Sequence, residues 1–169
     1  MEYDWTTFTK KILIHTDREK LFSMAATRQG MESWFLRSCT YHRPDGSLIP
    51  PDERVAAGML YRFLWYGYDD AVYENGTILQ TDDNDLFEFT FNGNGQTDMK
   101  VRIIFTVMEK GTLVSLTQYN IPVDEVSKAH WHLGCMEGWT FYLANMKSVA
   151  EGGIDLRNKD EKIKGVINS

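Results

Sequence analysis

Hydrophobic and polar positions alternate along this chain with a period that changes from segment to segment. Over residues 5–15 the period is two. Phe8, Ile12 and Ile14 fall on one side, and Lys11, Leu13 and His15 on the other, the pattern of a half-buried strand. Thr16 and Glu19 then stand three apart, the spacing of a capping box, in which hydroxyl and carboxylate each satisfy an orphan backbone amide. The pattern predicts a short helix to about Met24. A second follows near 28–35, after Thr27, and ends in the bulky pair Trp34-Phe35.

From 38 to 121 the period is two again. Runs rich in aromatic and β-branched residues occupy 38–43, 59–68, 71–81, 85–91, 99–109 and 112–120. Between them stand turn signals such as Pro44-Asp45-Gly46, Asp82-Asp83-Asn84 and Asn92-Gly93-Asn94-Gly95. Gaps this short imply hairpins and an antiparallel meander. Past Pro122 the period becomes helical. Asp124 is the expected N-cap of one long helix that runs to about Ala150, where Gly152-Gly153 ends it. The order is strand, two short helices, six strands, one long helix. It implies an α+β fold in which a curved antiparallel sheet wraps around one amphipathic helix. Neither a repeat nor a linker divides the chain. Residues 1–151 read as one domain, and 152–169 as a polar, basic extension that is either a flexible tail or a strap over the surface.

Alternation also assigns faces. Phe87, Phe89 and Phe91 share one, as do Val101, Ile103, Phe105 and Val107. Tyr61, Phe63 and Trp65 lie opposite Arg62. Phasing the long helix on Trp139 puts Cys135, Met136, Tyr142, Leu143 and Met146 within roughly 60° of it, and His132 within roughly 20°. His130 falls on the opposite side. This stripe is either a solid core or one wall of a pocket lined by rings and Met, with a few polar groups to orient a ligand. For the pocket reading the candidate lining is Trp34, Tyr61, Phe63, Trp65, Phe87, Phe89, Phe105, Cys135, Met136, Trp139 and Tyr142. Gln118, on the inner side of its strand, and His132 supply polar handles.

Composition narrows the function classes. The chain has 169 residues, 43% of them hydrophobic and 25% charged, ordinary values for a globular domain. Its net charge is −6 and its pI about 5.2, so a nucleic-acid partner is not expected. Acids concentrate in 69–99, which holds Asp69, Asp70, Glu74, Asp82, Asp83, Asp85, Glu88 and Asp98 with no Lys or Arg. That flank is either a solvated set of strand edges or a surface for a basic partner. The longest apolar run, 59–68, is broken by Arg62 and too short to span a bilayer. The start, Met-Glu-Tyr-Asp-Trp, lacks a signal core. Cys39 and Cys135 form no CxxC, so two reduced thiols in a cytoplasmic protein are expected.

Chemistry has few candidates. His132 would be a hydrogen-bond donor, or a general base if a strand supplied a carboxylate; the bland alternative is a packed core histidine. Tyr61, Tyr119 and Tyr142 are structural unless they orient a polar ligand head. No motif lowers the pKa of Cys135. His130-x-His132 has the wrong helical spacing for a metal, and Asp82–Asp85 lacks the Gly and distal Glu of a calcium loop. No catalytic residue, metal or cofactor is expected.

The segment from His132 to Lys147, with Gly138-Trp139 followed by Leu143, resembles the C-terminal helix of the START-like superfamily. More narrowly it is similar to the family named for the activator of the ninety-kilodalton heat-shock chaperone's ATPase. Gly76-Thr77-Ile78-Leu79 resembles that family's Gly-x-Val/Ile-Leu strand, and Gly111-Thr112 with Val114 and Leu116 its last strand. The likeness runs over about 5–151. It implies the helix-grip fold, a seven-stranded antiparallel sheet around the C-terminal helix, with two short helices after the first strand. It also implies a hydrophobic cavity between sheet and helix, and so a domain that binds a hydrophobic or amphipathic small molecule without catalysis. A protein-binding role as a co-chaperone or stress accessory is the alternative. The co-chaperones that name the family have a further N-terminal domain that this chain is too short to hold. Distant START-like relatives add a cyclase- or hydrolase-like enzyme, for which His132 is the one candidate.

Overall fold

A computed structural model describes residues 2–82 and 84–168. Asp83, in the expected turn after the fourth strand, lies outside the described residues, as do Met1 and Ser169. Strand β1 is Thr7–Ile14, followed by helices α1 (Arg18–Ala26) and α2 (Arg28–Trp34). Six strands come next: β2 (Ser38–His42), β3 (Leu60–Leu64), β4 (Tyr73–Asp82), β5 (Leu86–Thr90), β6 (Lys100–Met108) and β7 (Gly111–Tyr119). A short α3 (Glu125–Ser127), a π-helical stretch (Lys128–Gly134) and α4 (Cys135–Ala150) complete the frame.

The strands form one seven-stranded sheet in the order β1-β7-β6-β5-β4-β3-β2, and every neighbouring pair is antiparallel. Consecutive strands are hairpin neighbours from β2 to β7. The first strand closes on the last, with Thr7 opposite Tyr119 and Ile14 opposite Thr112. Alternation does in space what it does in sequence: Val101, Ile103 and Phe105 are buried while Arg102 and Ile104 are exposed. Glu88 departs from it. It lies between Phe87 and Phe89 and is buried with them, because Arg102 and the Tyr119 hydroxyl both donate to its carboxylate across the sheet.

Two local expectations need correction. The cap of α1 is Asp17, not Thr16: the Asp17 carboxylate accepts from the Lys20 amide at 2.8 Å. Asp17 has the extended backbone of an N-cap, and a carboxylate also complements the helix dipole. Thr16 instead joins strand ends, since its carbonyl accepts from the Thr112 hydroxyl at 2.9 Å. The long helix is not one α-helix either. Asp124 does cap it, accepting from the Ser127 amide at 3.0 Å, but 128–134 follows the wider π pattern before α-helix resumes at Cys135. π turns occur mostly as local widenings inside α-helices, and hydrophobic periodicity does not reveal them.

Residues after α4 run as a strap. Asn145 is fully buried and holds both sides of the turn: its amide nitrogen donates to the Trp34 carbonyl at 2.7 Å, and its oxygen accepts from the Leu156 amide at 2.7 Å. Arg157 is 7% exposed and donates to the carbonyls of Leu36 and Glu32 and to Asp155. Burial alone would raise the pKa of Asp155, but the hydrogen bonds from Arg157 and Lys159 hold it well below the usual carboxylate range. Of the two readings of 152–169, this anchoring favours the strap.

Candidate functional site

The space between sheet and helix is filled at its centre. The pair Trp34-Phe35, at the end of α2, is driven into it. Phe35 lies 4.7 Å from the Trp139 ring and 4.8 Å from Tyr142, centroid to centroid. Tyr61 stacks on Phe63 at 3.9 Å, and Phe63 meets Phe89 edge-on. Phe87 and Phe105 both pack on Phe22 of α1. Trp34, Phe63, Phe87, Phe89 and Phe105 are all buried to within 1%. Edge-to-face ring pairs of this kind add about 0.5–1.5 kcal/mol each beyond their buried area.

The polar candidates are satisfied inside the protein. Gln118 points inward as expected, and its side-chain oxygen accepts from the Trp139 indole at 3.0 Å. Its nitrogen faces the Met99 sulfur at 3.4 Å. His132 is fully buried, but against the N-terminal segment. Its Nδ1 lies 2.9 Å from the Trp5 carbonyl and its Nε2 2.8 Å from the Tyr3 hydroxyl, with the rings of Tyr3, Trp5 and Phe8 edge-on to it. A carbonyl only accepts, so Nδ1 carries a proton and donates to Trp5, while the Tyr3 hydroxyl can serve Nε2 as donor or acceptor. The arrangement is that of a packed core histidine. Tyr61 donates to the Thr90 carbonyl. Its hydroxyl passes where a side chain at Gly76 would stand, since a Cβ there would lie 2.5 Å from it. That is the physical need for glycine in the Gly76-Thr-Ile-Leu strand. Burial pushes the Cys135 thiol up to about 11 and the Tyr142 hydroxyl to about 12, which leaves Cys135 a poor nucleophile.

A groove of about 850 Å³ runs along α4. Trp65, Tyr68 and Phe91 line it from the sheet side, Met136, Phe141 and Tyr142 from the helix, and Val166 and Ile167 from the strap. At one end it reaches the wedge between sheet and helix, because Phe91 packs on Trp139 at 5.6 Å and on Trp65 at 6.3 Å. Lys10 and Glu137 add one charge of each sign to the lining. Gly134 and Gly138 line the groove too. A Cβ on Gly138 would meet nothing within 4 Å, and one on Gly134 only ordinary contact with the Ala129 carbonyl. Glycine within a helix costs about 1 kcal/mol relative to alanine, and packing within the chain does not require it at either position.

Of the candidate lining residues, Trp65, Met136 and Tyr142 border this groove. Tyr61 borders a separate hollow of about 550 Å³ beside Asn75, Gly76 and Asn94. Cys135 is half-buried against the core, and the others lie in the packed centre or, as with His132, under the N-terminal segment. Leu133, Gly138 and Phe141 lie off the inward stripe of the helix, and Tyr68 and the strap residues lie outside the strands and helix whose faces periodicity assigns. Phe141 falls about 200° from Trp139 at α-helical phase, and an aromatic on a helix's outer face was the available signal.

The family described as Activator of Hsp90 ATPase homolog 1-like protein matches residues 15–151. No curated protein sequence matches the chain. Solved structures match at the level of fold. A protein from Staphylococcus saprophyticus is 23% identical with a TM-score of 0.68, over 89% of this chain and 96% of its own. An Aha1 dimer from Colwellia psychrerythraea is 16% identical with a TM-score of 0.66, over 87% and 97%. CalU16 from Micromonospora echinospora is 14% identical with a TM-score of 0.62, over 88% and 76%. The architecture they share with this chain is the helix-grip fold.

Proposed function

Because the chain belongs to the family of Activator of Hsp90 ATPase homolog 1-like proteins, we propose that it is a START-like binding domain whose ligand is a flat, hydrophobic or amphipathic small molecule. The observation that carries this reading is the aromatic groove beside α4, with helical glycines that no internal contact requires. Rings of Trp65, Phe91 and Tyr142 supply apolar contact, Gly138 lets a planar group approach the helix, and Lys10 or Glu137 meets a polar end. Binding sites of this size are commonly apolar clefts with few polar groups, and the family frame is consistent with that use.

Titration with Nile red, a neutral planar fluorophore, tests the reading. The protein should bind it with a blue-shifted emission. Gly138→Leu, which projects into open space, should weaken binding at least tenfold and leave the thermal midpoint no lower. A Gly138→Leu variant that binds as the parent does would overturn the assignment.

The partner-binding alternative rests on the family and on the acids of 69–99, several of which are engaged within the chain. Asp70 pairs with Arg37, Asp85 with Arg18, Glu88 with Arg102 and Asp98 with Lys100. Glu74 accepts from the amides of Asn92 and Gly93.

A further inference from the structure

The chain after Arg157 belongs to neither the core nor the stretch 15–151 that the family matches. Its base is fixed. Asp155, Leu156 and Arg157 are held to α2, α4 and the turn after α2 by the contacts of Asn145 and of the buried guanidinium. Beyond that base, Lys159 pairs with Asp155 at 2.9 Å and lies over the Tyr66 ring, and several hydrogen bonds tie 158–168 to itself. The Asn158 amide donates to the Asn168 carbonyl, Asn168 donates back to the Leu156 carbonyl at 2.9 Å, and the Asn158 side chain reaches the carbonyls of Asp160 and Ile163. The result is a small loop tied at its neck.

The loop is lysine-rich, yet it displays isoleucines: Ile163 is 47% exposed and Ile167 77%. Gly165, Val166 and Ile167 face the groove. The groove keeps its roughly 850 Å³ with the loop in place, so the loop walls it and does not fill it. An exposed isoleucine beside an open aromatic groove has apolar surface to bury once an apolar ligand arrives.

We propose that residues 158–168 are a lid, hinged on the Asp155–Arg157 clamp, which folds over an apolar ligand in the groove and slows its release. The proposal rests on the binding role given above. Loops that close over ligands commonly set the rate at which those ligands leave.

The test is stopped-flow release of Nile red from the full chain and from the variant Ile167→Asn. This change adds no charge, and its site is too exposed to threaten folding. Release from the variant should be at least tenfold faster, with the association rate within about twofold. Tryptic cleavage at the exposed Lys159, Lys162 and Lys164 should slow several-fold when the probe saturates the parent. Equal release rates and probe-indifferent cleavage would overturn the lid and leave the groove assignment standing. Tighter binding by Ile167→Asn would make the loop a plug and overturn the lid as well. If neither chain binds the probe, the groove assignment fails and the lid fails with it.

Discussion

A single buried hydrogen bond shows how little slack the interior has. The Trp139 indole has the Gln118 oxygen as its acceptor. Gln118→Met keeps the volume and orphans that donor, so it should cost about 1–3 kcal/mol in urea unfolding. His132→Ala removes a fully buried ring and leaves the Trp5 carbonyl without its donor. A loss of about 2–4 kcal/mol is expected from cavity and unpaired carbonyl together. Groove binding of Nile red should survive that change if protein is assayed well below its lowered midpoint. Cys135, with its thiol pushed by burial up to about 11, should alkylate slowly at pH 7.5. The rate should rise about tenfold per pH unit until near that value, because only the thiolate reacts. The inward position of Trp139 and Gln118 was legible from the periods of helix and strand. The partners of His132 were not, since Tyr3 and Trp5 come from the far end of the chain and no local pattern links them.

At the level of elements, the strands and both short helices follow from alternation and turn chemistry, and the two exceptions have local causes. Asp17 outcompetes Thr16 as a cap because its carboxylate reaches the Lys20 amide. The π stretch leaves no mark on hydrophobic spacing. The strap was ambiguous for a different reason: its composition is that of a tail, while its anchor is one buried arginine. Arg157→Met should therefore loosen 155–168 selectively. Amide exchange there should speed up by orders of magnitude while β5–β7 stay protected. The clamp also has a definite pH response. Asp155 is depressed in the folded state, so its contribution is present above the ordinary carboxylate range and is lost only as pH falls through the lower folded value. Amide exchange at 156–158 should hardly change between pH 7 and 4.5, after correction for the intrinsic rate, and rise only in stronger acid.

For the molecule as a whole, the meander from β2 to β7 could be read directly, whereas the placement of β1 beside β7 could not, since no local pattern links residues 7–14 with 112–119. The groove stayed hidden because outer helix face, sheet rim and strap meet only in three dimensions. That closure of first strand on last has a consequence for how the protein is made. Residues 7–14 leave the ribosome well before their hydrogen-bonding partner, 112–119, which follows about a hundred residues later, with α4 later still. Until then a sheet rich in phenylalanine has only α1 and α2 against it, lacks α4, and cannot yet pair its last strand with residues 7–14. Native pairing across such a separation is slow, and open strand edges invite misassociation. Ribosome-stalled chains ending near residue 121 should thus be digested readily by protease, and resistance should appear only once α4 has cleared the exit tunnel.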